Sequence, residues 1–458
     1  MKIWINDDNN RKPDGSKYNL NTDGLKIYTT INYSMQEMAE NAVTSHMPRL
    51  QKEFFEQNET LDDSIAPFRE LTSGAVDTLL RVSMRRSERW RKMKYDLKKN
   101  DEEIEESFYI PKEMTVFSWT GEIDTTMTPL DSMKYYKSFF RPGMMSMDPT
   151  NGYIKAWVGG MNYRHFQYDM VKKGKRQIGS TFKPFVYAAA IDQLKLSPCD
   201  TFPDSQFCIE KNKFGNVEQW CPKNSGDKYG RTRTLKNALA NSVNTVTARL
   251  MDRIGPRTVV KLAKDLGIKQ RILPVPSIAL GTPDLSVYEM VAAYSTFANK
   301  GVYTQPVFIE RIDDKNGTTL YKNQPVTRDV LSEEAAYVTV NLLEGVTRAG
   351  SGTRLRTTGA DEFNRAYQNV VTGYPYEFTN PIAGKTGTTQ NQSDGWFIGM
   401  VPNLVTGVWV GAEDRAIHFE DIAYGQGASM ALPIWGVYMK SVYQDSTLLI
   451  SKAVSYTH

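Results

Sequence analysis

The segment from Gly179 to Ala190 constrains the fold more than any other part of the chain. Ser180 stands at the start of this apolar run, which predicts a helix around which the rest of the chain is arranged. Residues three apart on a helix face the same way, so the hydroxyl of Ser180 and the amine of Lys183 would lie within reach of one another. The pair would supply a nucleophile beside a base. The backbone N–H of Ser180, at the positive end of the helix dipole, would point toward a developing oxyanion.

This S-x-x-K pattern is weak evidence when it stands alone. With ordinary amounts of serine and lysine, a chain of this length should contain the pattern roughly twice by chance. A second copy does occur from Ser225 to Lys228, but it lies in a turn-rich segment and is predicted to be a loop. For the first copy, a core helix capped by Ser180 is the ordinary alternative.

The composition indicates a soluble globular protein and gives no case for binding nucleic acid. The chain has 458 residues, of which 40% are hydrophobic, enough for one large domain and a smaller one. Its net charge of +4 is spread over 56 basic and 52 acidic residues, so no nucleic-acid partner is indicated. No run approaches the roughly 18 apolar residues of a membrane span, and the first residues do not read as a signal peptide.

The cysteines and histidines indicate neither a metal site nor a cofactor. Cys199, Cys208 and Cys221 are too few and too loosely spaced for a zinc site. Cys208 and Cys221 flank a probable turn at Phe214–Asn216, so a hairpin disulfide and free thiols are both open. None of the four histidines lies beside a candidate nucleophile in sequence, which leaves a Ser-His-Asp triad possible but unsupported.

The order of strand and helix patterns predicts an α+β fold. Strands are predicted at Leu25–Ile31, Met114–Trp119, Gly143–Pro149, Gly152–Gly160 and Val307–Ile312, with three more inside Gly384–Ala412. Helices are predicted from a capping box at Ser34 to about Glu56, over Leu61–Glu106, in several pieces of Thr234–Lys300 with a capping box at Ser286, and over Ser332–Arg348. We expect a mostly antiparallel sheet, flanked by helices and split in sequence by an all-helical subdomain. The charged stretch at 61–106 is predicted to be a solvated helical insertion rather than a docking surface.

A second candidate element is the segment Ala240–Asn244, which holds an S-x-N pattern between two apolar stretches. In an extended loop, residues two apart point the same way, so Ser242 and Asn244 could face one cleft together. The ordinary alternative is a turn between two helices with a capping serine.

A third candidate element is the segment Ile382–Thr389, which predicts a strand with Gly384 where another backbone or a ligand must approach closely. Gly384, Lys385 and Thr386 match the end of a nucleotide-binding loop, but such a loop needs a glycine where this chain has Thr379. A nucleotide-binding loop should also lead into a helix, whereas this segment is predicted to be a strand. Both differences argue against phosphate binding. A hairpin strand with an exposed Lys and Thr is the ordinary alternative.

The three patterns S-x-x-K, S-x-N and K-T-G, in this order, resemble the transpeptidase domain of class A penicillin-binding proteins, in the superfamily that includes serine β-lactamases. The resemblance covers roughly residues 25–445. It includes further segments at Thr29–Ile31, Asp148–Gly152, Val158–Gly160, Ala279–Thr282, Phe297–Gly301 and Asp394–Gly399. Ser118–Trp119 and Gly425–Ala428 most resemble Bacteroidetes-type members. The resemblance implies a linker, strand and helical insertion in residues 1–137 and a penicillin-binding transpeptidase domain in residues 138–447.

The resemblance implies a serine acyl-enzyme mechanism. Ser180 would attack the carbonyl of a D-Ala-D-Ala stem peptide and lose its proton to a neutral Lys183. Burial and the charge of Lys385 would both lower the pKa of Lys183. Ser242, oriented by Lys385, would pass the proton to the leaving group, and the amine of a second stem peptide would then take the acyl group.

The resemblance also implies how the substrate is held. The hydroxyls of Thr386 and Thr388, with Gly387 between them, would receive the terminal carboxylate, and Asn244 would hold the amide on the acyl side. The backbone N–H groups of Ser180 and Thr388 would form the oxyanion hole. Strict strand alternation sends neighbouring side chains to opposite faces, so we expect this strand to lie along the edge of the cleft.

Family members of this class carry a membrane anchor and an upstream glycosyltransferase module, and neither is present in this sequence. The resemblance therefore implies a soluble fragment of a protein at the periplasmic face of the inner membrane, or a free-standing transpeptidase. β-Lactam antibiotics and peptidoglycan stem peptides are the implied partners. A D,D-carboxypeptidase or β-lactamase of the same superfamily is an alternative, although the E-x-x-L-N segment of class A β-lactamases is absent. A non-catalytic penicillin-binding module is another.

Overall fold

A five-stranded antiparallel sheet lies at the centre of the computed structural model, which describes residues 1–356 and 370–450 together with residues 452 and 456. The strands are β1 Lys26–Thr29, β2 Lys112–Val116, β3 Ile123–Met127, β4 Arg141–Met147, β5 Ile154–Val158, β6 Arg176–Gln177, β7 Thr201–Pro203, β8 Thr232–Thr234, β9 Asp284–Leu285, β10 Val302–Thr304, β11 Ile309–Asp313, β12 Thr319–Lys322, β13 Thr327–Asp329, β14 Ala383–Thr388, β15 Asp394–Val401 and β16 Leu404–Gly411. The central sheet has the order β14-β15-β16-β4-β5, which confirms the predicted α+β class.

The helices surround this sheet. They are α1 Lys2–Asn6, α2 Tyr33–Asn58, α3 Ser73–Arg86, α4 Glu88–Arg91, α5 Asp101–Glu106, α6 Pro129–Lys137, α7 Lys183–Leu194, α8 Leu235–Ala240, α9 Asn244–Ile254, α10 Pro256–Asp265, α11 Val287–Ala298, α12 Glu333–Ala349, α13 Ile422–Gly425, α14 Gly427–Met430 and α15 Leu432–Gln444. Among these described helices, none combines the length and apolar character that a bilayer crossing demands.

The sheet separates two hydrophobic cores. Met145 and Ile398 face a core formed with α7 to α12, whereas their neighbours Met144 and Phe397 face a core formed with α2 and α15. This alternation follows from the period of two along a strand. Both faces of β15 and β16 are therefore buried, which explains why their sequences are mostly apolar and do not alternate with polar residues.

The predicted hairpin before the Ser180 segment is confirmed. Strands β4 and β5 pair antiparallel, and the Asp148 carboxylate accepts from the backbone N–H of Thr150 at 2.9 Å in the turn between them. Gly152 adopts a φ of +76° at the end of that turn, a conformation that a residue with a Cβ adopts only at a cost.

The caps of the predicted helices are confirmed at one helix and wrong at another. Ser286 and Glu289 form the expected capping box at the start of α11. Helix α2, however, begins after Asn32 rather than at Ser34. Asn32 has an extended backbone, and its side chain accepts from the N–H of Met35 at 3.0 Å, so this residue reaches the free N–H groups first.

The charged stretch at 61–106 is not one continuous helical region. Residues 59–72 form turns, and three short helices, α3 to α5, follow with a π-helical turn at Lys92–Asp96. Ser87 ends α3 with an extended backbone and caps α4 through the N–H of Trp90, which breaks the helix in two. Met84, Trp90, Ile104 and Phe108 form a small core of their own here.

Candidate active site

Ser180 lies on a 3₁₀ turn, Gly179–Phe182, that leads directly into α7. The predicted helix therefore begins at Lys183, whose backbone N–H donates to the carbonyl of Ser180. The side chains from Lys183 to Ile191 are buried all round, as expected for a helix that the rest of the chain surrounds. Ser180 itself is half-buried.

Close backbone contacts fix the turn that carries Ser180. The N–H of Gly179 donates to the carbonyl of Gly281 at 3.0 Å. Gly281 has a φ of +77°, and a Cβ there would lie 1.7 Å from the carbonyl oxygen of Gly179. The hydroxyl of Tyr294 donates to the carbonyl of Thr181 at 2.6 Å. The nucleophile position is therefore held by the α11 side of the molecule as well as by α7.

The Lys183 amine is fully buried and is directed at the S-x-N segment. It donates to the hydroxyl of Ser242 at 3.1 Å, to the carbonyl of Ser242, and to Oδ1 of Asn244 at 2.6 Å. Within the described part of the chain, the Ser180 hydroxyl makes no hydrogen bond. Ser180 and Lys183 therefore lie on consecutive turns of the chain, but their side chains are not hydrogen-bonded to each other.

The S-x-N segment is a tight connection between α8 and α9, and the predicted extended loop is wrong. Ser242 has a φ of +56°, and Asn244 is already the first residue of α9. The short connection must reverse the chain, which it does with hydrogen bonds from the N–H groups of Ser242 and Val243 to the carbonyls of Leu239 and Ala238. Both side chains still face Lys183, as the sequence suggested.

The K-T-G segment is β14, an edge strand of the central sheet, which excludes a phosphate-binding loop. The buried Lys385 amine donates to the Ser242 hydroxyl at 3.1 Å and to the carbonyl of Thr386 at 3.0 Å. Thr386 turns the other way, and its hydroxyl is hydrogen-bonded to that of Ser351 at 2.5 Å. Two lysines from distant segments thus converge on one hydroxyl.

Strand β14 packs directly on the Ser180 turn. A Cβ on Gly387 would lie 2.8 Å from the carbonyl oxygen of Ile178, and a Cβ on Gly179 would lie 2.7 Å from that of Thr388. Only glycine at both positions allows this approach. The backbones next to Ser180 and at Thr388 are therefore in contact, while the Thr388 hydroxyl accepts from the N–H of Gly427 at 3.1 Å.

Burial depresses the pKa of both lysines. Burial, followed by the charge of Lys385, holds the pKa of Lys183 well below its usual value, as the sequence predicted. Burial alone lowers the pKa of Lys385 to about 7. An isolated buried charge is costly, so this environment favours the neutral form of the Lys183 amine more than water does.

Sequence reasoning gave no role to Ser351, Asn224 or Asp394, although Asp394 lies in one of the segments that carry the resemblance. Ser351 joins two elements, because its N–H donates to the carbonyl of Ala240 at 3.1 Å and its hydroxyl contacts Thr386. The buried Asp394 accepts from Arg176 and from the indole of Trp409 behind the K-T-G strand. The only signal for Ser351 was its flanking glycines, nothing local marked Asn224, and Asp394 was marked only by the resemblance of its segment.

The described histidines are all engaged away from Ser180. His46 is fully buried against Thr372 and the carbonyl of Met430, and burial lowers its pKa to about 4. His165 contacts Tyr136 and Glu122, and His418 contacts the carbonyl of Phe419. His458 lies outside the described residues. A triad with any of the three described histidines is therefore excluded.

The structure distinguishes between a disulfide and free thiols at Cys208 and Cys221. Cys208 and Cys221 form a disulfide, and Cys199 is exposed and free. Among the residues that the structure describes, no group of three or more histidine, cysteine or carboxylate side chains could hold a metal ion.

Two family profiles match the chain. The penicillin-binding protein middle domain matches residues 63–140, and the penicillin binding protein transpeptidase domain matches residues 142–416. The stretch predicted to be an insertion is thus part of a segment with a family profile of its own.

Several curated relatives are similar over most of the same region. Penicillin-binding protein 1A of Aquifex aeolicus is 35% identical over 301 residues, which is 65% of this chain and 38% of the relative. Penicillin-binding protein 1A of Neisseria lactamica is 32% identical, and penicillin-binding protein 2D of Bacillus subtilis is 33% identical. These matches cover 65% of this chain and 35% and 40% of the respective relatives, so the chain matches well under half of their length.

Solved structures share the fold. Penicillin-binding protein 1A from Haemophilus influenzae has a TM-score of 0.65 and 21% identity, over 97% of this chain and 69% of that one. PonA1 from Mycobacterium tuberculosis in complex with penicillin V has a TM-score of 0.58 and 20% identity, over 93% of this chain and 87% of that one. At these identities the likeness concerns the fold.

Proposed function

The chain belongs to the family of penicillin-binding protein transpeptidase domains, whose profile covers more than half of it, and we propose that it cross-links peptidoglycan through an acyl-enzyme on Ser180. The observation that carries the proposal is that Lys183, three residues after Ser180, and Lys385 both donate to the Ser242 hydroxyl, each at 3.1 Å. Three segments that are distant in sequence thereby supply a nucleophile, a base and a proton relay.

In the acylation step, Ser180 Oγ attacks the carbonyl carbon of the penultimate D-Ala, and neutral Lys183 takes the hydroxyl proton. The new C–O bond gives a tetrahedral oxyanion, which the N–H groups of Ser180 and Thr388 stabilise; one such donor is worth about 10²–10³ in rate. When the C–N bond breaks, the proton passes through Ser242 to the departing amine of D-Ala. Lys385 holds the Ser242 hydroxyl in line for this transfer.

In the second step, an amine from a neighbouring stem peptide attacks the acyl-enzyme. A C–N bond forms, the C–O bond to Ser180 breaks, and the proton released by the amine returns to the Ser180 oxygen. Lys183 and Ser242 serve again as the relay, now in the reverse direction.

We propose that the substrate carboxylate lies along β14. Thr386 and Thr388 lie two residues apart on the same face of this strand and would offer their hydroxyls, and Gly387 lets the strand approach the Ser180 turn without a side chain in between. The proximity of the buried Lys385 ammonium supports an anion here. Asn244 would bind the amide on the acyl side through its side chain.

We also propose a division into an N-terminal part, residues 1–137, and a transpeptidase part, residues 138–447. We propose that the chain is part of a larger protein with a membrane anchor and a glycosyltransferase module upstream, active at the periplasmic face of the inner membrane; the matches to only 38% and 35% of two relatives support the larger size. Stem peptides and β-lactams are the proposed partners. The bound penicillin in the PonA1 structure supports the latter.

Labelling with a fluorescent penicillin tests the proposal. We expect the wild-type chain to form a label that survives denaturing electrophoresis, and Ser180→Ala to form none. Ser225→Ala is the matched control, because Ser225 begins the other S-x-x-K copy, is exposed, and should label normally. A label that turns over rapidly would indicate a hydrolase, and the absence of any label would indicate a non-catalytic module. A donor-and-acceptor peptide assay then measures cross-linking itself.

A further inference from the structure

The helix that carries Asn244 has an unusual cap. Val243 occupies the N-cap position of α9 and has no side chain able to accept a hydrogen bond. The acceptor comes instead from Asn224, some 20 residues earlier in the chain. Its Oδ1 accepts from the backbone N–H of Asn244 at 2.9 Å and from that of Thr245 at 3.2 Å. The start of α9 therefore depends on the segment that holds Asn224.

A buried carboxylate holds Asn224 in place. The Nδ2 of Asn224 donates to Asp204 at 2.7 Å, and Asp204 is completely buried. The Asp204 carboxylate also accepts from Arg233, from the N–H of Gly230 and from the hydroxyl of Thr245. Burial raises the pKa of Asp204, but the hydrogen bonds from Arg233, Asn224 and Thr245 outweigh it and leave the pKa below its usual value. Asp204 is therefore a charged, fully bonded anchor.

The residue before Asn224 decides which way the Asn244 amide points. The carbonyl of Lys223 accepts from Nδ2 of Asn244 at 2.6 Å. A carbonyl can only accept, so the amide nitrogen must lie on this side and the amide oxygen on the other. That oxygen is the one that accepts from Lys183 at 2.6 Å. A flipped Asn244 would bring its NH₂ group against the lysine amine.

We propose that Asn224, anchored by Asp204, is a positioning residue that acts through Asn244 to orient the Lys183 amine for acylation. This inference rests on the function proposed above. The segment from Asp204 to Arg233 that carries Asn224 lies outside the three motifs and contains the Cys208–Cys221 disulfide. Asn224 does not touch Lys183 or Ser180 in the described structure, so its effect reaches the base only through the Asn244 side chain.

The proposal has a pH signature that a purely structural role lacks. The groups facing the Lys183 amine are Ser242 and Asn244 from the α8–α9 connection and Lys385 from β14. The Asn244 oxygen stabilises the charged amine, and Lys385 opposes it. When Asn244 is no longer held, the charged form loses an acceptor and the pKa of Lys183 falls further. Because acylation needs neutral Lys183, the acid limb of the pH–rate profile should move to lower pH.

The test compares Asn224→Ala and Asn224→Asp with the wild-type chain and with Asn216→Ala. Asn216 lies in the neighbouring hairpin, which the Cys208–Cys221 disulfide closes, and its side chain donates to the carbonyls of Glu210 and Glu218, away from α9. The second-order rate constant for acylation by a fluorescent penicillin is measured from pH 5 to 9, with thermal unfolding in parallel. We expect Asn224→Ala to acylate on the order of 10- to 100-fold more slowly at pH 7.5, with its acid limb at lower pH.

Asn224→Asp covers the case in which the alanine variant does not fold. It keeps the oxygen that caps α9 but places a carboxylate against the Asp204 carboxylate, so we expect slow acylation in a folded protein. Wild-type rates and an unchanged acid limb in either folded variant would overturn the proposal. So would a rate loss that follows thermal stability with no change in the pH profile. If the wild-type chain itself is not acylated, the proposed function fails instead, and the two failures are distinguishable.

Discussion

At the scale of single residues, the site combines two buried amines with one hydroxyl. Lys183 and Lys385 are both fully buried and both donate to Ser242, yet no carboxylate partner is recorded for either among the described residues. Such an arrangement is costly for folding, because the charged forms are desolvated and repel each other. For the acylation proposed above, its benefit would be that the depressed pKa of Lys183 favours the neutral amine that the step requires.

The cost should be visible as a pH-dependent stability. The pKa of Lys385 is about 7 in the folded chain, whereas its ordinary value is 10.5, so between these pH values the unfolded chain binds the proton that the folded chain has lost. Stability should therefore rise as the pH increases from 7 to 10. In Lys385→Met, which keeps much of the volume, we expect this contribution to vanish, with a gain on the order of 1–4 kcal/mol at pH 7 that disappears toward pH 10.

Denaturant unfolding at pH 7, 8.5 and 10 measures this difference. Lys440→Met, at an exposed lysine of α15, is the matched control and should follow the wild-type curve. A Lys385→Met variant that is less stable than the wild type at every pH would show that the hydrogen bonds of Lys385 outweigh its desolvation.

The motif residues could be predicted because each pattern is local. Ser180 and Lys183 lie one turn apart, and Ser242 and Asn244 two residues apart, so spacing alone suggested a shared direction. Asn224 could not be predicted, since its cap on α9 and its bond to Asp204 each span some 20 residues and have no local pattern.

At the scale of elements, local side-chain chemistry predicts where some helices begin. A helix start is predicted wrongly where two nearby residues can both cap the helix. Ser286 is the N-cap of α11, as predicted. At α2 the N-cap is Asn32 instead of the predicted Ser34, because the helix begins earlier in the chain. The S-x-N connection was expected to be extended, but two helices that close on one another leave room only for a left-handed residue at Ser242. The elements themselves were predictable, and the geometry between them was not.

The disulfide-closed hairpin should stabilise the element that carries Asn224. Cys208 and Cys221 are 13 residues apart, and closing a loop of about that size restricts the unfolded chain by about 3 kcal/mol. We expect the double variant Cys208→Ser, Cys221→Ser to lower the free energy of unfolding by about that amount. Cys199→Ser, at the exposed free cysteine, is the control and should change little. Equal unfolding curves for both variants would show that the hairpin does not contribute.

At the scale of the whole molecule, the site lies where the edge strand of the central sheet meets the helical core. Ser180 opens the central helix, Ser242 joins two helices of the all-helical subdomain, and Lys385 lies on β14. The α+β class could be predicted from the order of the patterns. The order of the sheet could not, because β16 pairs with β4 across some 260 residues and no local signal records that pairing.

Ser180 is the residue that we expect to be acylated, and intact-mass spectrometry with peptide mapping after incubation with a penicillin tests this most directly. Because the β-lactam ring opens without releasing a fragment, we expect the mass to rise by one whole penicillin. The adduct should map to the peptide that contains Ser180. Ser180→Ala should gain no mass, and Ser225→Ala should gain as much as the wild type. An unmodified wild-type chain, or an adduct on a different residue, would contradict the account.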